Sequence, residues 1–400
     1  MKILIFTQYF YPETFRVNTL AKELVKRGHE VTVVTGYPQY PGGEIFDGYG
    51  FSIPYEKVWN GVRIERVKMR PRGHNAVGLL LNCITYVTEA NKWVRKCKEK
   101  FDVVFVVQLS PVTVGLPALK YKKKFGVPML FNVQDLWPES VEEVLQIRTP
   151  LVIAPINYIV RKLYRGSDRI LCSSSGFINN IAKRHRVSKE KLSFWPQFCE
   201  APRFDEMKKP SCYENGYFNI VFTGNLGDAQ GLDLLIDTAE LLKESPVRWY
   251  LVGDGRARER LENKVSEKQL QNNVFFMGRV SEHEANEYVY FSDAAYISFQ
   301  NNALLDLTIP AKLQTYLACG TPILGAIGGE SAKIIEDNQS GIIAERTPES
   351  LASAVAKLYS TDADRLAQYR ENAKRYYESQ FTMDKLISEL ESMMLFYTRR

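Results

Sequence analysis

The 400-residue chain has no run of about 18 uncharged apolar residues, so no segment of it reads as a membrane-crossing helix. Its opening apolar stretch, residues 1–6, meets Gln8, Pro12 and Glu13 too soon for an export signal. The six cysteines (Cys83, Cys97, Cys172, Cys199, Cys212, Cys319) form no C-x-x-C pair and have no histidines at metal-ligand spacing. A zinc site or a disulfide framework is therefore not expected, and a reducing, cytoplasmic setting is. Histidine is scarce too: His29, His74, His185 and His283 all lie outside the glycine-rich loops. No G-x-G-x-x-G follows the first apolar run, which argues against a nicotinamide dinucleotide, and no RNA- or DNA-binding motif is present. The expectation is a soluble or peripheral protein with no metal, no cofactor and no nucleic-acid partner.

What is present indicates two α/β domains. A single hydrophobic core stops growing at roughly 250–300 residues, so 45.9 kDa implies a division. The net charge of +6 hides an asymmetry, +13 over residues 1–200 and −7 over residues 201–400. The basic half has peaks at Arg63, Arg66, Lys68, Arg70 and Arg72 and at Lys120, Lys122, Lys123 and Lys124. Such clusters attract phosphates, on nucleic acid or on an anionic membrane.

Periodicity predicts strands at residues 2–7, 31–35, 62–67, 102–107, 128–132 and 169–172, with helices at 16–27, 77–100 and 117–124. Strands apolar on both faces that alternate with helices make a doubly wound parallel sheet. The pattern lapses among Pro196, Pro202 and Pro210, which places a boundary near residue 205. It then restarts with strands at 218–222, 248–252, 274–277, 294–298 and 322–324 and helices at 232–243, 256–269, 282–291 and 311–318. Residues 348–396 read as almost wholly helical.

In such sheets ligands bind beyond the carboxyl ends of the strands. Gly224, Asn225 and Gly227 follow one strand, Gly253, Asp254 and Gly255 the next, and Gly278, Arg279 and Val280 a third. Each spacing by itself fits a plain tight turn as well as a phosphate cradle. Pro310 suits the first turn of a helix, which sets Thr308 and Lys312 at its positive end, where a diphosphate would sit; an ordinary exposed lysine is the other reading. Gly329 and Glu330 lead a further helix and offer backbone donors or a carboxylate to a sugar hydroxyl. In the first domain Asp135, Trp137 and Glu139 follow a strand. Acids, an amide and an indole there suit a polyhydroxy ligand, although a helix start attracts acids by its dipole alone.

Taken in order, residues 27–33 (Arg-Gly-His-Glu-Val-Thr-Val), 134–140 (Gln-Asp-Leu-Trp-Pro-Glu-Ser), 222–225, 253–255 and 318–322 resemble glycosyltransferase family 4, in particular its WbuB-like branch of O-antigen and capsule assembly. The resemblance spans essentially the whole chain. It implies the GT-B fold, two facing Rossmann-like doubly wound domains: 1–205 for the acceptor, 206–380 for the nucleotide sugar, and a helix at 381–400 crossing back to the first domain. It implies a retaining, metal-free transfer of a sugar, an N-acetylated hexosamine or deoxyhexosamine, from a nucleoside diphosphate, UDP before GDP. The implied acceptor is an undecaprenyl-diphosphate-linked saccharide at the inner face of the cytoplasmic membrane.

On this resemblance Lys312 and the amides at 224–227 hold the leaving diphosphate, the loops at 253–255 and 278–280 hold ribose and base, and Asp135 and Glu139 orient the donor sugar or the acceptor hydroxyl. Arg70, Arg72 and Trp137 serve the acceptor and the membrane. The helix at 77–100 either rests on lipid or turns Leu79, Leu80, Leu81, Ile84 and Val87 to the core. The family's Glu-x7-Glu pair matches Leu307 and Thr315, and its Arg and Lys diphosphate clamp matches Asn225 and Gln230. Lys312 and then Arg279 are the remaining cations; Asp306 and Glu330 are the nearest acids. The alternatives are a GT-B-fold epimerase and a non-catalytic nucleotide-sugar-binding scaffold.

Overall fold

Val, Ile and Phe side chains on both faces of a strand must be covered from two sides, and both halves of the chain meet that demand with helices. The computed structural model describes residues 1–73, 75–144 and 146–399; His74 lies outside the described residues. Two compact units form, Met1–Pro196 joined by the residues from Leu386 onward, and Gln197–Lys385. The division falls at Pro196, ahead of the boundary expected near 205.

In the first unit eight strands run β1 (Lys2–Phe6), β2 (Glu30–Thr35), β3 (Val58–Trp59), β4 (Val62–Arg66), β5 (Val103–Gln108), β6 (Met129–Val133), β7 (Arg169–Cys172) and β8 (Leu192–Phe194). Their order is β3-β4-β2-β1-β5-β6-β7-β8, parallel except for β3 against β4. Among the described residues six helices connect them: α1 (Arg16–Lys26), α2 (Ala76–Lys96), α3 (Gly115–Phe125), α4 (Glu139–Val144), α5 (Pro150–Gly166) and α6 (Ser175–His185). Right-handed crossovers from β4 through β8 all step the same way, so α2, α3, α5 and α6 share one face and pack in that order. The step from β1 to β2 is the opposite one and puts α1 on the other face. The periodicity did not predict α5 or α6, and the helix expected over 77–100 ends at Lys96.

The second unit holds β9 (Phe218–Thr223), β10 (Val247–Val252), β11 (Val274–Gly278), β12 (Ala294–Ser298), β13 (Ile323–Ala326) and β14 (Gly341–Ile343), all parallel, in the order β11-β10-β9-β12-β13-β14. Its helices are α7 (Asp233–Leu241), α8 (Arg258–Glu267), α9 (Glu282–Phe291), α10 (Ala303–Asp306), α11 (Ala311–Cys319), α12 (Gly329–Asp337), α13 (Pro348–Tyr359), α14 (Ala363–Gln380) and α15 (Met383–Thr398). The stretch read as one helical tail is broken by caps: the Thr347 hydroxyl accepts from Ser350 N ahead of α13, and the Asp362 carboxylate from Arg365 N ahead of α14. Trp249, Phe222, Leu251 and Tyr296 centre the core between sheet and helices. The strand order reverses at β9 and β12, which sets a crevice beyond their carboxyl ends.

Candidate functional site

The loops after β9, β10 and β11 are tied to one another backbone to backbone. Gly224 N donates to Val252 O at 2.9 Å, Leu226 N to Asp254 O at 3.0 Å, and Gly253 N to Gly278 O at 2.8 Å. Gly253 has φ +144°, and a Cβ on it would stand 1.9 Å from Gly224 O. Gly255 is equally confined, 2.4 Å from Leu226 O. These two glycines are needed for the loops to approach, whatever ligand they meet. Asp254 adds to the knot: its carboxylate accepts from Gly255 N at 2.8 Å and lies 3.6 Å from Arg279 Nε. The Arg279 guanidinium is otherwise in solvent, and Val280 is half-buried beside it.

Lys312 enters from the second residue of α11, which begins at the other side of the strand-order reversal. Its ammonium donates to Gln230 Oε1 at 2.6 Å and sits 3.6 Å from the centre of the Phe222 ring. A Cβ at Gly224 would be 3.7 Å from Nζ, so the ammonium faces the exposed first glycine loop. No carboxylate pairs with it among the described residues. Burial pushes its pKa well below the usual lysine range. A cation with only a ring face and an amide for company gains from any anion that arrives. Asn225 is exposed, and Gly227 precedes the single turn at residues 228–230 that carries Gln230. Gln230, noted in the sequence only as an uncharged match, is the partner that positions the lysine.

The remaining expected groups of this unit are partly engaged. The Thr308 hydroxyl donates to Leu304 O at 3.0 Å, and Thr308 O accepts from Ser331 Oγ at 3.1 Å. Its role is to fasten α10 to α12, a departure from the side chain expected to point at a diphosphate. Gly329 is exposed with φ +63°, in contact with Asp306 O, and Glu330 lies 3.5 Å from Lys333. Asp306, the acid one residue out of register, is paired with Arg346 at 2.6 Å. Thr315 lies 3.8 Å from Cys199 Sγ.

In the first unit, Asp135 follows β6, half-buried, with no hydrogen bond or ion pair among the described residues. Burial pushes its carboxyl up to about 6. Glu139 differs from expectation: it is buried, and Arg184 Nη1 stands 3.2 Å away while also bonding Glu142. It is ion-paired with Arg184, and neither of its carboxylate oxygens, both buried, makes a hydrogen bond among the described residues. The Trp137 indole N–H is buried with no partner among the described residues, and the ring is half-exposed. Arg70 is exposed, and Arg72 lies over the Tyr40 ring at 5.7 Å. The basic cluster is smaller than its sequence suggests. Arg66 is buried, donating to Gly36 O at 2.8 Å and lying over Tyr49 and Tyr55, and Arg63 pairs with Glu99 at 2.5 Å. Glu13, which the sequence reading passed over, accepts from Gln39 N and Tyr40 N at 2.8 and 2.7 Å and so joins the loops after β1 and β2. Among the described residues no three His, Cys, Asp or Glu side chains are placed to hold a metal ion.

The family model Glycosyltransferase Family 4 matches residues 15–200, and Glycosyl transferases group 1 matches residues 217–361. Over 96% of its length the chain is 22% identical to 97% of the putative colanic acid biosynthesis glycosyl transferase WcaI of Escherichia coli K12. It is 24% identical to WcaL of the same organism, over 73% of this chain and 70% of that one. Among solved structures, WaaG, a glycosyltransferase of lipopolysaccharide biosynthesis, superposes with a TM-score of 0.65 at 16% identity over 100% of both chains. HepE of Anabaena, solved with UDP, gives 0.69 at 14% identity over 98% of this chain and 99% of that one. The two solved proteins share the fold.

Proposed function

Because this chain belongs to glycosyltransferase family 4 and has its GT-B fold, we propose that it moves a sugar from a nucleoside diphosphate, UDP, to a lipid-linked saccharide in surface-polysaccharide assembly, with retention. The observation that carries this reading is the Lys312 ammonium, half-buried and without a carboxylate, beside the exposed Gly224 loop at the strand-order reversal. UDP is supported by the ligand of HepE, and the polysaccharide setting by the names of WcaI, WcaL and WaaG.

In this mechanism the bond from the anomeric carbon to the diphosphate oxygen breaks while the acceptor oxygen bonds to the same face. The acceptor's proton passes to the departing phosphate oxygen, so no protein base is needed. The charge that develops on the diphosphate falls to Lys312, the amides of 224–227 and the amino end of α11. No metal is invoked. Asp135, a carboxylate without a partner among the described residues at the end of β6, is the first unit's group for accepting from an acceptor hydroxyl. Donor sugars of the N-acetylhexosamine or deoxyhexosamine class, an undecaprenyl-diphosphate acceptor and a cytoplasmic, membrane-peripheral location belong to the same proposal. Leu307 and Thr315, in place of two glutamates, favour one rival, a scaffold that binds nucleotide sugar without turnover.

The test is a melting titration with UDP, GDP, dTDP and NAD on the wild type and Lys312→Met. A hundredfold excess of UDP over Kd should stabilise the wild type by about 2.7 kcal/mol. In Lys312→Met that gain should disappear while the unliganded protein melts no lower, since an unpaired buried cation has been removed. Transfer that persists in excess EDTA is expected. No response to any nucleoside diphosphate refutes the proposal, and binding without transfer selects the scaffold.

A further inference from the structure

β9, β10 and β11 carry a second set of loops at their amino ends, opposite the glycine loops. Residues 212–217 precede β9, 243–246 precede β10 and 269–273 precede β11, and residues of all three line a cleft of about 1040 Å³. Arg248 is the second residue of β10 and Gly253 lies just past its end, so the two are separated by roughly 16 Å at about 3.3 Å per residue. The cleft lies wholly within the second unit.

A gap in the cover of the sheet accounts for it. α7, α8 and α13 pack on the face that carries Trp249 and Leu251. Arg248, Tyr250 and Phe275, the register partner of Tyr250, point the other way. α9 reaches that second face, where its Tyr288 meets Tyr213, but it packs on β9, two strands in from the edge at β11. Parallel strands are ordinarily covered on both faces. Here Phe275 stays half-buried and Tyr217 is 39% exposed. Arg248 joins the rings into one wall: its guanidinium lies 3.5 Å from the centre of the Tyr217 ring and 5.6 Å from that of Phe275, which stacks on Tyr250 at 5.2 Å. Glu214 holds the same guanidinium at 3.0 Å, while Arg248 Nε is buried without a hydrogen bond among the described residues.

The lining suits an uncharged polyhydroxy ligand. Arg248 and Lys243 are balanced by Glu214 and Glu244, so the cleft has no excess charge with which to gather a phosphate or a cation. Gln269 and Asn272 are exposed at its rim, and each side-chain amide offers donors and an acceptor to hydroxyls. A pyranose has hydroxyls round its edge and C–H groups on its faces, and those C–H groups complement the negative face of an exposed tyrosine ring. We propose that this cleft is a second saccharide site, which holds a neutral oligosaccharide against Tyr217 while the glycine loops at the far ends of the same strands stay free. In polysaccharide assembly its occupant is glycan already built, kept at the enzyme by a second point of contact. That use rests on the transferase reading; the site itself does not.

Saturation-transfer difference NMR on the full chain tests the site, with chitotetraose, cellotetraose and maltotetraose as probes. At least one of them should bind, and equally well with and without saturating UDP. Tyr217→Ala should weaken that binding at least about tenfold, and Asn272→Ala, a change at an exposed loop position, about fivefold. An unchanged melting temperature and UDP response show that the variants fold. The proposal is overturned if none of the three probes binds, if UDP displaces the bound probe, or if either variant binds as the wild type does. It is equally overturned by light scattering that shows a dimer which Tyr217→Ala dissociates, since the cleft is then an interface between copies of the chain. A UDP response without oligosaccharide binding rejects the cleft and leaves the transferase reading standing. Oligosaccharide binding without any nucleotide response supports the cleft and rejects the donor.

Discussion

Asp135 and Lys312 are opposite charges with the same predicament, each partly withdrawn from water without a charged partner among the described residues. For Asp135 the consequence is measurable as a pH dependence. Its carboxyl holds a proton up to about 6 in the folded protein against 3.8 for an exposed aspartate. Between those values the folded state binds more protons than the unfolded one, so stability falls as pH rises, and above about 6 the penalty is complete, at most about 3 kcal/mol. Asp135→Asn should therefore abolish that slope and raise the melting temperature at neutral pH. It should also cut transfer to acceptor by roughly a hundredfold while UDP still shifts the melt fully. Melting curves from pH 4 to pH 8 with and without UDP decide this; a variant that melts no higher than wild type at pH 7 refutes the buried-charge account. Charge in the sequence does not carry burial, which is why Arg66 and Glu139 read like ligand contacts there. Both belong to internal networks, Arg66 with Gly36 O and the Tyr49 and Tyr55 rings, Glu139 with Arg184. Asp135 is an acid in the same segment after β6 as Glu139, and the arginine beside Glu139 and its deeper burial separate the two.

The glycine loops show what spacing can and cannot tell at the scale of elements. Three loops at successive strand ends were legible because strand and helix periods alternate cleanly through the second unit. Their division of labour was not, since it depends on which backbone approaches which. A substitution pair separates the two uses. Gly278 has φ +75° with only the Arg258 guanidinium near its absent Cβ, at 3.7 Å, so Gly278→Ala should cost the left-handed penalty, about 1–2 kcal/mol. Gly253→Ala adds a collision at 1.9 Å with Gly224 O, a backbone atom that cannot swing aside. It should lower stability by at least about 3 kcal/mol and displace the Gly224 loop, so that the UDP shift is lost in whatever protein folds. Denaturant midpoints for the two variants test the ranking; equal losses would mean that the loops part easily. α5 escaped the sequence reading for a related reason. Pro155 interrupts it, and residues 151, 152, 154, 155 and 158 place apolar groups in solvent, so apolar side chains run round the helix and obscure the inward stripe of Ile153, Val160, Leu163 and Tyr164. α6, by contrast, has only a narrow buried stripe, Phe177, Ile181 and His185, behind its Ser174 cap.

At the scale of the whole chain, the two-unit plan and the opposite charges of the halves follow from composition, but the end of the chain does not follow from its place in the sequence. Residues 386 onward are part of the first unit, although the helix that contains them starts in the second. Leu386, Ile387, Leu390 and Met394 recur at helical spacing and are buried, which is a core stripe that periodicity predicts without saying whose core it is. The attachment is specific: Trp195 Nε1 donates to Leu386 O at 2.8 Å, and Glu391 takes Arg27 Nη1 at 2.5 Å and His29 Nε2 at 2.7 Å. The first unit is thus closed by the residues from Leu386 onward. Leu390→Ala removes a fully buried side chain from that closure and should destabilise the first unit by about 2–5 kcal/mol. Leu390 lies in the first unit and the nucleotide loops in the second, so the second unit should keep its response to UDP. Differential scanning calorimetry distinguishes the units: the transition that UDP does not move should fall in Leu390→Ala, and the one that UDP raises should stay where it was. If both transitions fall together, the chain end stabilises the two units as one cooperative block, and the nucleotide site depends on the last helix as much as the first sheet does.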